Sequence, residues 1–337
     1  MHEQGPQKVR VSIGSGVVLG LLKSRLDAKP TTVYLLTHGT GKCRASCAFC
    51  PQSQLSEGRA DMLSRVVWPT FPTKDVISRV AVAFGEGRTR RVCVQALNYP
   101  NVQKDIIHLA RRVHSSSEIP ISVSCQPLRR EDLLSLVDVG VDRVSIALDA
   151  VTEDLFNRVK GPMIGGPYTW ERHFDALREA VELFGRNRVT THLIAGLGEK
   201  EEDIVAMMQR CVSLGVYPAL FAFTPIQGTI LADRPSPPLH YYRGVQVAHY
   251  LTTHGLARYA DMKFRDGHLV DFGVSRKELL QIVRTGDPFR TSGCPDCNRP
   301  FYNERPGGSI YNYPTKPTIS EIMEIERILG LQASLSR

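Results

Sequence analysis

An α/β fold with a mostly parallel sheet is predicted, on three observations. From about residue 31 to 256, short β-branched runs alternate with longer helical patterns. Six such strand-helix units can be marked out, and 42% of the 337 residues are hydrophobic, enough to bury a large core. Parallel neighbours need a crossover connection, and the helical stretches supply one after each strand. Six units make a partial (β/α)6 barrel of the TIM type, short of the complete eight.

The strands are expected at Thr32–Thr37, Arg91–Leu97, Ile119–Cys125, Arg143–Asp149, Val189–Gly196 and Ala219–Thr224. The helices are expected over 73–84, 104–115, 130–139, 169–184, 201–214 and 238–254. An N-terminal extension, 1–30, precedes this barrel of 31–256 and contains a short helix read at Val17–Leu26. After residue 256 the alternation fades into a Gly, Pro and Asn-rich stretch around 293–317. A last helix from about Ile319 to Leu329 follows. This C-terminal extension, 257–337, carries two cysteines and is expected to close the barrel rather than form a separate domain.

No stretch approaches the roughly 18 consecutive apolar residues of a membrane span, and Met1 to Gln7 is too polar to begin a secretion signal. A cytoplasmic protein away from membranes is expected. In that compartment eight cysteines in clustered spacings point to metal binding or catalysis rather than disulfides. The formal charge of +8 is spread along the chain, which favours an acidic partner. Without a dense basic run interleaved with aromatics, nucleic acid is not an expected partner.

Immediately after the first expected strand comes His38-Gly-Thr-Gly-Lys-Cys43-Arg-Ala-Ser-Cys47-Ala-Phe-Cys50-Pro-Gln-Ser. Three thiolates on one short loop can hold three irons of a 4Fe-4S cluster and leave the fourth iron open to an outside ligand. The alternatives are a zinc site one ligand short or three unrelated cysteines. Zinc prefers four protein ligands for structure or a His-rich set for catalysis, and C-x3-C-x2-C offers neither.

With Phe49 directly before Cys50, the loop resembles the signature of the radical S-adenosylmethionine (SAM) superfamily. The resemblance implies that the amino and carboxylate groups of SAM chelate the open iron. Reductive cleavage of the sulfonium then gives a 5'-deoxyadenosyl radical that abstracts a substrate hydrogen. The segments around Gln95-Ala96-Leu97, Ser124-Cys125-Gln126, Leu148-Asp149, Trp170-Glu171-Arg172 and Ile194-Ala-Gly196-Leu197-Gly198-Glu199 are similar, in order and spacing, to biotin synthase and its relatives. Carried over by position, Gln95 and Ala96 contact the SAM amine, Asp149 the ribose and Arg172 the carboxylate. Ile194 and Leu197 pack on adenine. Arg as a fixed fork suits a carboxylate, and Asp at a strand end suits vicinal hydroxyls. Asp149 as a helix cap and Arg172 as a solvated helix residue are the plainer readings. The Gly196-Leu-Gly198 run lacks a full G-x-G-x-x-G and stands late in the alternation, which counts against NAD.

Cys93 and Cys125 lie on consecutive expected strands, where biotin synthases hold a second cluster with a third cysteine from a later strand. Here that later position reads Val189-Thr-Thr-His192, without a cysteine. Cys294-Pro-Asp-Cys297 supplies a C-x2-C pair instead. If the tail folds over the barrel mouth, Cys93, Cys125, Cys294 and Cys297 complete an auxiliary 4Fe-4S site. A zinc knuckle for the tail pair and inert buried thiols for the barrel pair are the alternatives. Cys211 falls inside a helical run and is expected to be structural. His192 is a spare ligand or a hydrogen-bonded core residue.

An auxiliary cluster beside a substrate radical implies sulfur insertion, as in biotin and lipoyl synthases. No cysteine precedes Cys43, so the N-terminal triad of ordinary lipoyl synthases is absent. The pattern resembles the archaeal two-component lipoyl synthases, in which two radical SAM proteins act on an octanoyl-lysyl carrier. That resemblance implies an octanoylated carrier protein or peptide, a second radical SAM subunit and an electron donor such as ferredoxin as partners. Asp287-Pro-Phe-Arg-Thr-Ser292-Gly is loosely similar to the Arg-Ser-Ser motif of lipoyl synthases, which nominates Ser292. The other readings are a biotin synthase acting on dethiobiotin, a radical SAM mutase or ring-forming enzyme, and a non-catalytic iron-sulfur carrier. A carrier would need no SAM contacts.

Overall fold

The structure is a computed structural model that describes residues 5–39, 41–304 and 307–332. The strands are β1 (Lys8–Val11), β2 (Thr32–Leu36), β3 (Met62–Leu63), β4 (Val66–Val67), β5 (Thr70–Pro72), β6 (Arg91–Gln95), β7 (Ile121–Cys125), β8 (Arg143–Ile146), β9 (Val189–Ala195), β10 (Val216–Ala222), β11 (Lys263–Arg265) and β12 (His268–Asp271). The helices are α1 (Ile13–Val18), α2 (Thr73–Gly85), α3 (Val102–His114), α4 (Arg130–Asp138), α5 (Glu153–Val159), α6 (Trp170–Phe184), α7 (Glu201–Leu214), α8 (Leu239–Thr253), α9 (Arg276–Thr285) and α10 (Ile319–Ile328).

One sheet organises the molecule, in the order β10-β9-β8-β7-β6-β2-β1-β5. The six strands from β10 to β2 pair in parallel, and β1 joins β2 and β5 antiparallel. These six are the six expected strands, and their crossover helices cover the outer face. The arrangement is the expected partial barrel. Val92, Val94, Ile121, Val123 and Val144 are fully buried between sheet and helices. The intervening residues, Cys93, Gln95, Ser122 and Ser124, turn toward the hollow of the barrel. Among the described residues, no helix is long and apolar enough to cross a membrane.

The first helix differs from expectation. It lies at Ile13–Val18 rather than Val17–Leu26, because the Ser12 hydroxyl caps the Ser15 N–H and Gly20, at φ +68°, turns the chain out of the helix. Helices α5 and α9 and the edge strands β1 and β5 were not expected. α5, β1 and β5 are too short to show much of the periodicity by which longer elements declare themselves, whereas α9 is amphipathic, burying Leu279 and Val283, and lies beyond the strand-helix alternation.

The tail spans the open side of the barrel, from the last parallel strand to the first. The Ser292 hydroxyl accepts from Leu220 N–H (2.8 Å) and Asn303 Nδ2 donates to Ala222 O (3.0 Å), both on β10. At the other end, Thr31 N–H donates to Asn298 Oδ1 (3.0 Å) and Arg299 N–H to the Tyr34 hydroxyl (3.1 Å). Ser292 is thus engaged in docking the tail.

Fully buried Arg243 on α8 anchors the following segment by donating to the carbonyls of Tyr311 (2.7 Å) and Ile310 (2.5 Å). Arg243→Ala would remove the donor to the Ile310 carbonyl and leave Tyr311 O only Gln246 Nε2 (2.9 Å), in a buried setting. It is expected to lower unfolding stability by about 2–4 kcal/mol, read from the urea midpoint at unchanged slope.

Candidate active site

The loop that follows β2 is fixed by its backbone. Cys43 N–H donates to Gln52 O (2.9 Å), Ala48 N–H to Val159 O (2.8 Å) and Leu231 N–H to Ala48 O (3.1 Å). This brings Cys43, Cys47 and Cys50 to one wall of a cavity of about 270 Å³ at the carboxyl ends of the strands. Burial pushes the Cys47 thiol up strongly against the pull of nearby Lys160, and raises Cys50 to about 12. Asn98 N–H donates to Cys43 Sγ (3.1 Å). A single metal ion asks its ligands to meet at one point, about 2.3 Å from each sulfur. Among the described residues no three His, Cys, Asp or Glu side chains do so. A cluster gives each thiolate its own iron, and three thiols along one wall fit that group.

Gln95, Ala96, Asp149 and Ile194 line the same cavity. Asp149 takes a left-handed backbone at φ +66°, which Asp tolerates better than most residues. Its N–H donates to His192 O and its carbonyl accepts from Ile194 N–H, both at 2.8 Å, so β9 holds it in that conformation. Leu197 and Arg172 are placed elsewhere. Leu197 is 1% exposed and packs into the core below the cavity. Arg172 donates to Glu179 Oε1 (3.0 Å) and to the Leu128 carbonyl, and lines an adjoining groove. The Glu199 carboxylate accepts from Gly196 N–H (2.6 Å) and Gly198 N–H (3.0 Å), which shapes the turn after Ile194.

A smaller cavity lies deeper in the barrel, lined by Cys93, Cys294 and Cys297 with Arg91, His192 and Arg299. Burial, then the neighbouring Cys294, raises the Cys93 thiol. Cys294 Sγ is 3.3 Å from Ser122 Oγ, and Cys297 Sγ is 3.2 Å from the Tyr34 hydroxyl. Cys125 is not brought to this group. It sits three residues past Ser122 on β7, about 10 Å along the strand, in the core with Ile121 and Val123, and only edges the larger cavity. Its thiol rises to about 12 through burial alone. Cys211 is fully buried on α7.

His192 lies between the two cavities, with Nε2 3.3 Å from Ser145 Oγ and its ring edge-on to Phe221. Burial lowers its pKa to about 3, that of His173 to about 3 and that of His249 to about 4. Unfolded histidines titrate near 6.5, so between about 4 and 6.5 the unfolded chain binds more protons. Stability contributed by the neutral rings is present above about 6.5 and lost as pH falls. Urea unfolding from pH 7.5 to 5 should show the midpoint falling, with up to three protons taken up per molecule. A flat profile would contradict the burial of these rings.

Lys160, Tyr168, Asn98 and Arg299 belong to the site and were not anticipated. Lys160 follows α5 directly, and Arg299 follows the tail pair by two residues. Neither stands in a spacing that marks it.

A barrel of parallel strands with a three-thiol loop after the first of them defines the class. The sequence pattern of the radical SAM superfamily matches residues 38–211, about half of the chain, and the protein belongs to that superfamily. Within it the chain stands on the biotin synthase-like branch. It is 24% identical over 230 residues to a biotin synthase of Acinetobacter baumannii, covering 66% of each chain. It is 27% identical over 198 residues to one of Corynebacterium glutamicum, covering 58% of this chain and 55% of that one. The match therefore spans just under two thirds, or less, of these relatives' own length. Among solved structures, methylornithine synthase (PylB) superposes with a TM-score of 0.50 at 15% identity, covering 72% of this chain and 66% of that one. The FeFe-hydrogenase maturase HydG of Carboxydothermus hydrogenoformans gives 0.50 at 13%, covering 72% and 59%. At such identity these two show the fold. Members of the superfamily use a 4Fe-4S cluster and SAM, and Cys43, Cys47 and Cys50 are the thiols of this chain that fit the cluster.

Proposed function

We propose that the protein inserts sulfur at an unactivated carbon of an octanoyl-lysyl carrier protein, forming the lipoyl group with a second radical SAM protein as partner. The observation that carries this reading is the trio Cys93, Cys294 and Cys297 in a cavity directly behind the SAM site. Gln95, His192 and Arg299 line both cavities, so the two are neighbours along the barrel axis. Three thiols with two arginines suit an auxiliary iron-sulfur cluster, whose sulfide is the donor. When bound, the first cluster and SAM supply the hydrogen-abstracting radical. The chain's own residues position the substrate between the two sites. Leu36, Leu63, Phe221, Phe223 and Ile226 give that space apolar walls that suit an acyl chain. The formal +8 suits a carrier acidic around its modified lysine, and an electron donor such as ferredoxin.

The biotin synthase relatives favour a second reading, dethiobiotin as substrate. Mass spectrometry after incubation with SAM, reductant and an octanoylated carrier peptide, with and without a cellular partner, separates the two. Sulfur gained by the peptide supports the lipoyl reading. Thiolation of dethiobiotin with an unchanged peptide selects the other.

A further inference from the structure

Three thiolates and the carboxylate of SAM concentrate negative charge at one buried wall, and such charge needs a nearby cation. Among the described residues, two cations line the larger cavity, Lys160 and Arg299. Arg299 belongs to the tail side, 4.3 Å over the Phe221 ring and bonded through its N–H to Tyr34. Lys160 follows α5 and packs beside the cluster loop.

Several contacts hold it there. Val159, the residue before it, accepts from Ala48 inside the cysteine loop, and Ser46 Oγ donates to Gly165 O (3.0 Å). The turn after Lys160 folds back so tightly that a Cβ on Gly166 would meet Lys160 O at 2.0 Å. Its ammonium lies 5.4 Å over the Tyr168 ring, whose hydroxyl accepts from Asn98, and Asn98 N–H donates to Cys43 Sγ.

The head group is nearly dry. Lys160 pairs with Asp149 Oδ2 at 2.6 Å, the side chains 7% and 10% exposed, and also donates to Ala147 O. An ammonium has three donors, and the third has no acceptor among the described residues while the group faces the cavity. Burial would lower its pKa, yet the Asp149 carboxylate at 2.6 Å holds it above the ordinary value, so it carries charge. Arg172, which the resemblance nominates for the carboxylate, has its fork on Glu179 and Leu128.

We propose that Lys160 binds the carboxylate of SAM, and that its ion pair with Asp149 keeps the site formed until the ligand engages both side chains. SAM offers one partner for each member of the pair, a carboxylate for Lys160 and ribose hydroxyls for Asp149. The proposal rests on membership of the superfamily and is independent of what the radical attacks.

The test compares two ligands on the anaerobically reconstituted full chain: SAM, and decarboxylated SAM, which keeps the sulfonium, ribose and adenine. Equilibrium dialysis gives the preference for SAM as a ratio of dissociation constants. In Lys160→Met that preference should shrink about thirty-fold, as for truncation of one partner of a buried charge pair. The SAM-induced change in the electron paramagnetic resonance signal of the reduced cluster should weaken with it. Lys160→Arg should keep the preference within about threefold, and Arg172→Met should leave it unchanged. A merely structural lysine would weaken both ligands equally, leave the ratio intact and overturn the proposal. So would a collapse of the ratio in Arg172→Met instead. If neither Lys160→Met nor Lys160→Gln loads the first cluster, Lys160 is a structural support and the proposal falls.

Discussion

With alanine at Cys93, Cys294 and Cys297, the reconstituted protein is expected to hold about four irons instead of about eight, and to form no carbon-sulfur bond while still cleaving SAM. The three thiols lie together in the deeper cavity, whereas Cys43, Cys47 and Cys50 line the outer one, and neither set includes a residue of the other. The barrel should survive, because Ser292, Asn298 and Asn303 still dock the tail when the thiol contacts to Tyr34 and Ser122 are lost. The readouts are iron and sulfide content, 5'-deoxyadenosine release and product mass. Cys125→Ala is the contrasting variant. It should keep about eight irons, since that thiol packs among Ile121 and Val123. Loss of four irons in Cys125→Ala would move the auxiliary site to the strand end.

Alanine at Cys43, Cys47 and Cys50 should have the opposite profile: about four irons kept and SAM cleavage abolished. The loop keeps its shape without the thiols, because its anchors to Gln52, Val159 and Leu231 are backbone hydrogen bonds. Removal of three ligands takes away the cluster and with it the reductive step, so the loss is complete rather than graded. SAM cleavage persisting in this variant would place the radical-forming site elsewhere.

Most of the fold was legible because most barrel strands are short β-branched runs with a long helix before the next strand. The cysteine loop was legible because its spacing is local. Cys125 shows where a local reading stops short. Alternation along Ile121-Ser-Val-Ser-Cys125 already puts Cys125 on the face of Ile121 and Val123, and Cys93 on the face of Arg91 and Gln95. The signal was present, but cysteine identity outweighed parity. Arg172 and Lys160 show the other limit. A helix residue and a turn residue 12 positions apart compete for one charge. Which of them faces the cavity depends on Glu179 and on the fold-back at Gly166, both tertiary facts. The docking of the tail across β10 and β2 is likewise written in contacts more than 70 residues apart.

In the proposed reaction the cluster at Cys93, Cys294 and Cys297 gives its sulfur to the substrate. Reconstitution with sulfide enriched in a heavy sulfur isotope, followed by turnover with unlabelled SAM and octanoylated carrier peptide, tests it directly. Wild type should give product carrying the heavy isotope, and the Cys93, Cys294, Cys297 variant none. Product sulfur of natural isotopic composition, or label that persists in that variant, would contradict it.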